Sequence, residues 1–105
     1  MTTVKRRDRR FLKWRVTNPE TGDVQDLTSS TVKLLVREQY SEEDVVGYAM
    51  EIDGDPTLGI VKYWYDGTIP PGTYDIEVEV TSPAGTIITS PSEGYNTLLV
   101  EPDLG

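Results

Sequence analysis

The sequence predicts an all-β, antiparallel sandwich of about seven strands forming one domain. Three observations carry that expectation. Apolar residues recur at every second position, as they must when one face of a strand is buried. Turn-forming residues interrupt those runs about every 8–12 residues, the spacing of a sandwich. The only plausible helical turn, Ser41-Glu42-Glu43-Asp44 with Ser41 as its N-cap, is too short to change the class. A chain of 105 residues has room for one such domain, and at that size roughly two-thirds of the unfolded surface is buried in a single core.

The elements follow in order. Leu12, Trp14 and Val16 alternate with Lys13 and Arg15 and predict a first strand, closed by the turn Asn18-Pro19-Glu20-Thr21-Gly22-Asp23. Val32, Leu34 and Val36 alternate with Lys33, Leu35 and Arg37 in a second. A weaker strand is expected over Val46 to Ile52, before the turn Asp53-Gly54-Asp55-Pro56. Val61, Tyr63 and Tyr65 alternate with Ile60, Lys62 and Trp64, so both faces carry large groups. Such a strand is either central or uses its second face for contact. After Asp66-Gly67 and Pro70-Pro71-Gly72 comes the firmest strand, in which Tyr74, Ile76, Val78 and Val80 alternate with the acids Asp75, Glu77 and Glu79. A helix would scatter those two sets around its circumference. Ser82-Pro83-Ala84-Gly85 and Pro91 to Gly94 then bracket a strand over Thr86 to Ser90, and Thr97 to Val100 make the last. In all these turns Gly supplies positive φ, Pro fixes φ, and Asn or Asp bonds nearby backbone.

Composition removes several function classes. Cysteine and histidine are both absent, so there is no disulfide, no thiolate and no imidazole base or ligand. No apolar run approaches the ~18 residues of a membrane-spanning helix, and the basic start is not followed by the apolar stretch of a signal peptide. A soluble protein made in the cytoplasm, with no membrane partner, is expected. Charge divides sharply along the chain. Residues 1–15 hold seven Lys or Arg against one acid, a net +6, whereas the other 90 hold three against 17, a net −14. The expected organisation is a basic N-terminal arm over 1–10, a sandwich over 11–101 and a short tail over 102–105.

Three segments in order carry a likeness to a known family. They are Trp14-Arg15-Val16-Thr17 through Gly22 and Asp26-Leu27-Thr28 into Thr31 to Arg37, then Gly59-Ile60-Val61-Lys62-Tyr63-Trp64, then Pro71-Gly72-Thr73-Tyr74 through Val80 with Gly85. Over about residues 11–100 the chain resembles the immunoglobulin-like domains of tailed-phage structural proteins, notably the N-terminal domain of baseplate upper proteins. The resemblance implies an immunoglobulin-like sandwich that docks to other virion proteins. Members of that family carry longer segments after this domain, whereas this sequence stops at Gly105, which leaves capsid decoration, neck, tail and baseplate all open.

The candidate partner-binding residues are Lys5, Arg6, Arg7, Arg9 and Arg10 of the basic arm, together with Trp64. Docking of the arm onto an acidic neighbour, such as another copy in a multi-copy assembly, is weighed first. A solvated tail comes second and nucleic acid last, because the acidic body would repel a duplex and no aromatic platform with flanking basic residues appears beyond Phe11 and the core residue Trp14. Trp14, Gly72 and Tyr74 are given structural roles: Trp14 in the core, and Pro70-Pro71-Gly72 as the corner where the chain crosses between sheets. The Tyr74 hydroxyl would return to upstream backbone there, with ordinary core packing of Tyr74 as the alternative. Glu51, Asp53 and Asp55 could suggest calcium, but the spacing lacks a closing Glu and reads better as a turn. No metal or cofactor is expected. Catalysis has no base to activate a hydroxyl and no pair of carboxylates facing across a cleft. The expectation is a non-enzymatic virion component, with a carbohydrate-binding or host-surface adhesion module as the alternative.

Overall fold

The structure is a computed structural model that describes residues 2–40, 44–91 and 96–102. It is an all-β sandwich with nine strands among the described residues: β1 (Thr2–Lys5), β2 (Arg10–Arg15), β3 (Thr31–Glu38), β4 (Val46–Ala49), β5 (Glu51–Ile52), β6 (Ile60–Tyr65), β7 (Gly72–Thr81), β8 (Ile87–Ser90) and β9 (Asn96–Glu101). The small sheet has the order β2-β6-β5, and the large sheet β1-β9-β7-β3-β4, with β8 also paired to β7. In immunoglobulin-like terms β2, β6 and β5 occupy the places of strands B, E and D. In the same terms β4, β3, β7 and β9 take those of C′, C, F and G. Of the helical turn expected at Ser41–Asp44, the first three residues lie outside the described ones, and Asp44 is not helical.

Nine strands rather than about seven arise from two departures. The segment set apart as a basic arm contributes β1, which runs parallel to β9 with Val4 opposite Val100; every other strand pair is antiparallel. Val4 is only 1% exposed and belongs to the core. One apolar residue between threonines and a lysine is too short a pattern to announce a strand; the partner strand supplies the signal. The second departure is that Val46 to Ile52 is two strands in different sheets. The chain leaves the large sheet after Ala49 and enters the small sheet at Glu51. Tyr48, Met50 and Ile52 keep one parity and all pack on the core. The two sheets face the same interior, so the alternation survives the crossing and hides it.

The core forms two adjoining clusters. One gathers Val4, Leu12, Leu34, Tyr65, Ile69, Ile76 and Leu98. The other gathers Val16, Leu27, Val32, Val61, Val78 and Val80 nearer the β2–β3 loop. Trp14 and Met50 pack against both and join them. No charged side chain is buried among the described residues. Each fully buried Val, Leu or Ile contributes roughly 1.5–3 kcal/mol relative to exposure.

Three turns share one device. In Asp26-Leu27-Thr28, Asp55-Pro56-Thr57 and Asp66-Gly67-Thr68 the aspartate Oδ1 accepts both the backbone N–H and the hydroxyl of the threonine two residues on. The backbone bonds are 2.9, 2.9 and 3.0 Å. This is the local turn for which Asp is favoured, reinforced by a second donor. Those donors hold all three carboxyls below the usual carboxylate range.

Candidate functional site

Strand parity decides what the small sheet shows to solvent. In β2, Leu12 points inward, so Phe11, Lys13 and Arg15 point out; in β6, Val61, Tyr63 and Tyr65 are buried, so Lys62 and Trp64 face outward with the half-buried Ile60. The register sets Phe11 beside Trp64, Lys13 beside Lys62 and Arg15 beside Ile60. Phe11 and Trp64 meet edge to face, with ring centroids 4.9 Å apart and planes at 65°. They remain 40% and 46% exposed. The Lys62 ammonium lies 4.5 Å from the centre of the Phe11 ring, a cation–π contact.

Lys13 and Lys62 are directly opposite each other, which alone is unfavourable. Asp53, just after β5, resolves this by reaching both: its carboxylate lies 2.9 Å from the Lys13 ammonium and 3.5 Å from that of Lys62. Glu51 adds a longer contact to Lys62 at 3.9 Å. The Lys13 hydrogen bond is the main cause that holds the Asp53 carboxyl below its ordinary range, with Lys62 assisting. Of the acids weighed as a calcium loop, Asp53 and Glu51 thus pair with lysines, and Asp55 closes a turn through Thr57.

The basic residues of the N-terminal segment, Lys5 to Arg10, form a corner at one end of this face. Between β1 and β2 the chain turns tightly: the Asp8 N–H donates to the Lys5 carbonyl at 3.0 Å, and the Asp8 carboxylate accepts the Lys5 N–H at 3.0 Å. The Arg6 N–H donates to the Glu101 carbonyl at 2.9 Å, tying the corner to β9. Arg10 donates to the Thr3 carbonyl at 2.7 Å, and Arg9 donates to the carbonyls of Arg7 and Asp8 at 3.3 and 3.0 Å. The buried Tyr65 hydroxyl divides its proton between the Arg6 and Ile69 carbonyls, each at 3.4 Å. Gly67 closes the other side at φ +88°, where a Cβ would come within 3.0 Å of the Arg6 carbonyl oxygen. The side chains of Lys5, Arg6, Arg7, Arg9 and Arg10 are exposed around this scaffold.

The fold places the basic corner at the end of the strands that carry Phe11 and Trp64. Arg10 pairs with the buried Tyr65, so it has the parity opposite to Phe11 and Trp64, and its side chain reaches the Thr3 carbonyl rather than the aromatic pair. Phe11, expected only as an aromatic beside the basic arm and not as a partner-binding residue, shares the outer face with Trp64. Its signal was its parity, opposite to Leu12 and Trp14. The residues given structural roles are separate. Trp14 is half-buried between the two core clusters. The Tyr74 hydroxyl donates to the Pro70 carbonyl at 2.7 Å, the corner bond of this kind of sandwich. Gly72 leaves room for Tyr74, whose hydroxyl oxygen would lie 3.3 Å and nearest ring carbons 3.4 Å from a Cβ there. No protein-family model matches the chain, and no curated protein or solved structure matches it.

Proposed function

We propose that this chain is a non-catalytic docking module of a tailed-phage particle. It would bind another virion protein through the outer face of its small sheet and the basic corner beside it. The observation that carries the reading is the half-exposed Phe11–Trp64 pair, with the Lys62 ammonium over the Phe11 ring. Exposed aromatic side chains are enriched in interface hot spots. The resemblance of residues 11–100 to phage immunoglobulin-like domains supplies the setting. The edge-to-face tilt of the rings favours a protein over a sugar, since a sugar ring stacks on an open aromatic face. Asp53 and Glu51 already neutralise the two lysines of the face, which weakens a nucleic-acid reading.

Mass spectrometry of purified, intact particles from the source that encodes the chain tests the reading. The protein is expected there in fixed proportion to the other structural proteins, and a correctly folded Trp64→Ala chain is expected to be depleted. Absence from intact particles defeats the virion reading. Retention on cell-wall glycan that Trp64→Ala abolishes would replace it with host-surface adhesion.

A further inference from the structure

The end of the sandwich opposite the basic corner is concave and acidic. A cleft of about 490 Å³ lies there between the β2–β3 loop and the β7–β8 turn. Val80 and Ile88 supply apolar lining, Ser82 and Thr86 line one side, and Glu20 and Asp26 are its only charged lining residues among the described ones. Asp55 stands close enough to Asp26 for their charges to interact. The walls are set in advance. Asn18 Oδ1 accepts the N–H groups of Glu20 and Thr21 at 2.8 and 3.3 Å, Asp26 holds Thr28, and the Ser82 hydroxyl accepts the Thr86 N–H at 3.1 Å. A cleft that is already ordered loses little conformational freedom on binding.

The strands fix where cleft and corner sit. β2 leaves the corner at Arg10 and ends at Arg15 beneath the cleft loop, while β7 starts at Gly72 near the corner and ends at Thr81 by the cleft. The molecule is 45 Å along its longest axis. One end therefore presents a tight turn with five cationic side chains, of which Lys5 and Arg10 also pair with Glu101 and Asp8, and the other a recess whose charged lining, among the described residues, is acidic. We propose that the cleft receives the Lys5–Arg10 corner of a second copy of this chain, so that copies join head to tail. This rests on the docking role assigned to the corner and names its partner. The surface patch differs on the two sides of such a contact, which makes it heterologous: it propagates into a ring or a filament rather than closing as a two-fold dimer.

Sedimentation equilibrium on the isolated chain decides the matter. A contact of this size is weak, so protein is taken to about 1 mM, where micromolar to millimolar affinities become visible. Salt near 0.15 M, with a screening length of about 8 Å, damps repulsion between the acidic bodies while leaving contact pairs in place. The weight-average mass of the unaltered chain is expected to rise with concentration to at least about twice the 11.8 kDa of one chain. Glu20→Lys with Asp26→Asn spoils the cleft and keeps the corner; Arg6→Gln with Arg9→Gln does the reverse. Each alone should stay monomeric, and an equal mixture should give dimers and nothing larger, because one compatible contact remains. If either double variant fails to fold by circular dichroism, the single changes Glu20→Lys and Arg6→Gln carry the same test. A chain that stays monomeric at about 1 mM, or a mixture that does not dimerise, overturns the proposal. A monomer in this assay that is still present in intact particles overturns head-to-tail association alone and leaves the docking reading standing.

Discussion

Tyr63 and Tyr74 pack in the same core cluster from opposite sheets, and their hydroxyls meet different fates. The Tyr74 hydroxyl closes the corner onto Pro70, whereas that of Tyr63 has no hydrogen bond to the protein among the described residues. Phenylalanine at position 74 should therefore lower unfolding stability by about 1 kcal/mol, the net worth of one hydrogen bond, and leave the Pro70 carbonyl unsatisfied. Tyr63→Phe removes no such bond and should change stability by less than about 0.5 kcal/mol. Urea midpoints of the two variants, measured side by side, check the contrast. Equal losses would mean that the corner bond contributes nothing beyond ring burial. The third aromatic of interest is Trp64, whose ring meets Phe11 edge on. Such a contact is worth about 0.5–1.5 kcal/mol, so Trp64→Ala should fold and its loss of docking can be read without ambiguity.

Among the elements, β1 has the least sequence and much consequence. It adds one buried side chain, Val4, and covers the edge of β9. Val4→Ala removes two buried methyl groups and should cost about 2 kcal/mol with its cavity. Deleting residues 1–5 goes further, because it also bares the β9 edge as a template for strand pairing. That truncated chain should unfold at lower urea and aggregate on storage, with amide exchange accelerated first in β9. The same strand marks the limit of what the sequence made legible. β2, β3, β6 and β7 announce themselves through runs of three or four alternating apolar residues, and the outward direction of Trp64 follows from the inward one of Tyr63 and Tyr65. The Tyr74 corner could be read because its parts are local: two prolines, a glycine and a tyrosine within five residues. β1 could not, since its evidence lies in Leu98 and Val100, over ninety residues away. The passage from β4 to β5 was hidden because Tyr48, Met50 and Ile52 face one shared core from both sheets. The Phe11–Trp64 pair and the cleft were illegible for a similar reason. Each joins residues distant in the chain, and alternation gives a residue's face but never its cross-strand neighbour.

For the whole molecule, the titratable groups predict a stability profile with an unusually flat centre. There is no histidine, so no side chain of ordinary pKa changes charge between about pH 6 and 8. On the acid side Asp26, Asp53, Asp55 and Asp66 all have lowered carboxyl pKa values, three from threonine donors and one chiefly from Lys13. A carboxyl with a depressed folded value stabilises the fold fully above its unfolded pKa of about 3.9 and loses that contribution as pH falls through the folded one. Opposing this, acidification toward the isoelectric point near 4.4 removes the net charge of −8 and its self-repulsion. Stability should hold or rise slightly down to about pH 5 and then fall below about pH 4. On the alkaline side burial pushes the Tyr63 phenol up to about 12 and raises that of Tyr74 as well. A raised phenol works in the reverse sense: its contribution is complete below the unfolded pKa of about 10 and disappears as pH climbs toward the folded value. Urea midpoints taken from pH 3 to 11, in steps of about one unit, should therefore trace a plateau with two shoulders. Replacing Thr28, Thr57 and Thr68 together by valine removes the hydroxyl donors of all three turns but keeps their backbone bonds. The acid shoulder should then move to higher pH while the alkaline one stays in place. An acid shoulder that does not move would assign the acid loss to general charge repulsion instead of to these turns.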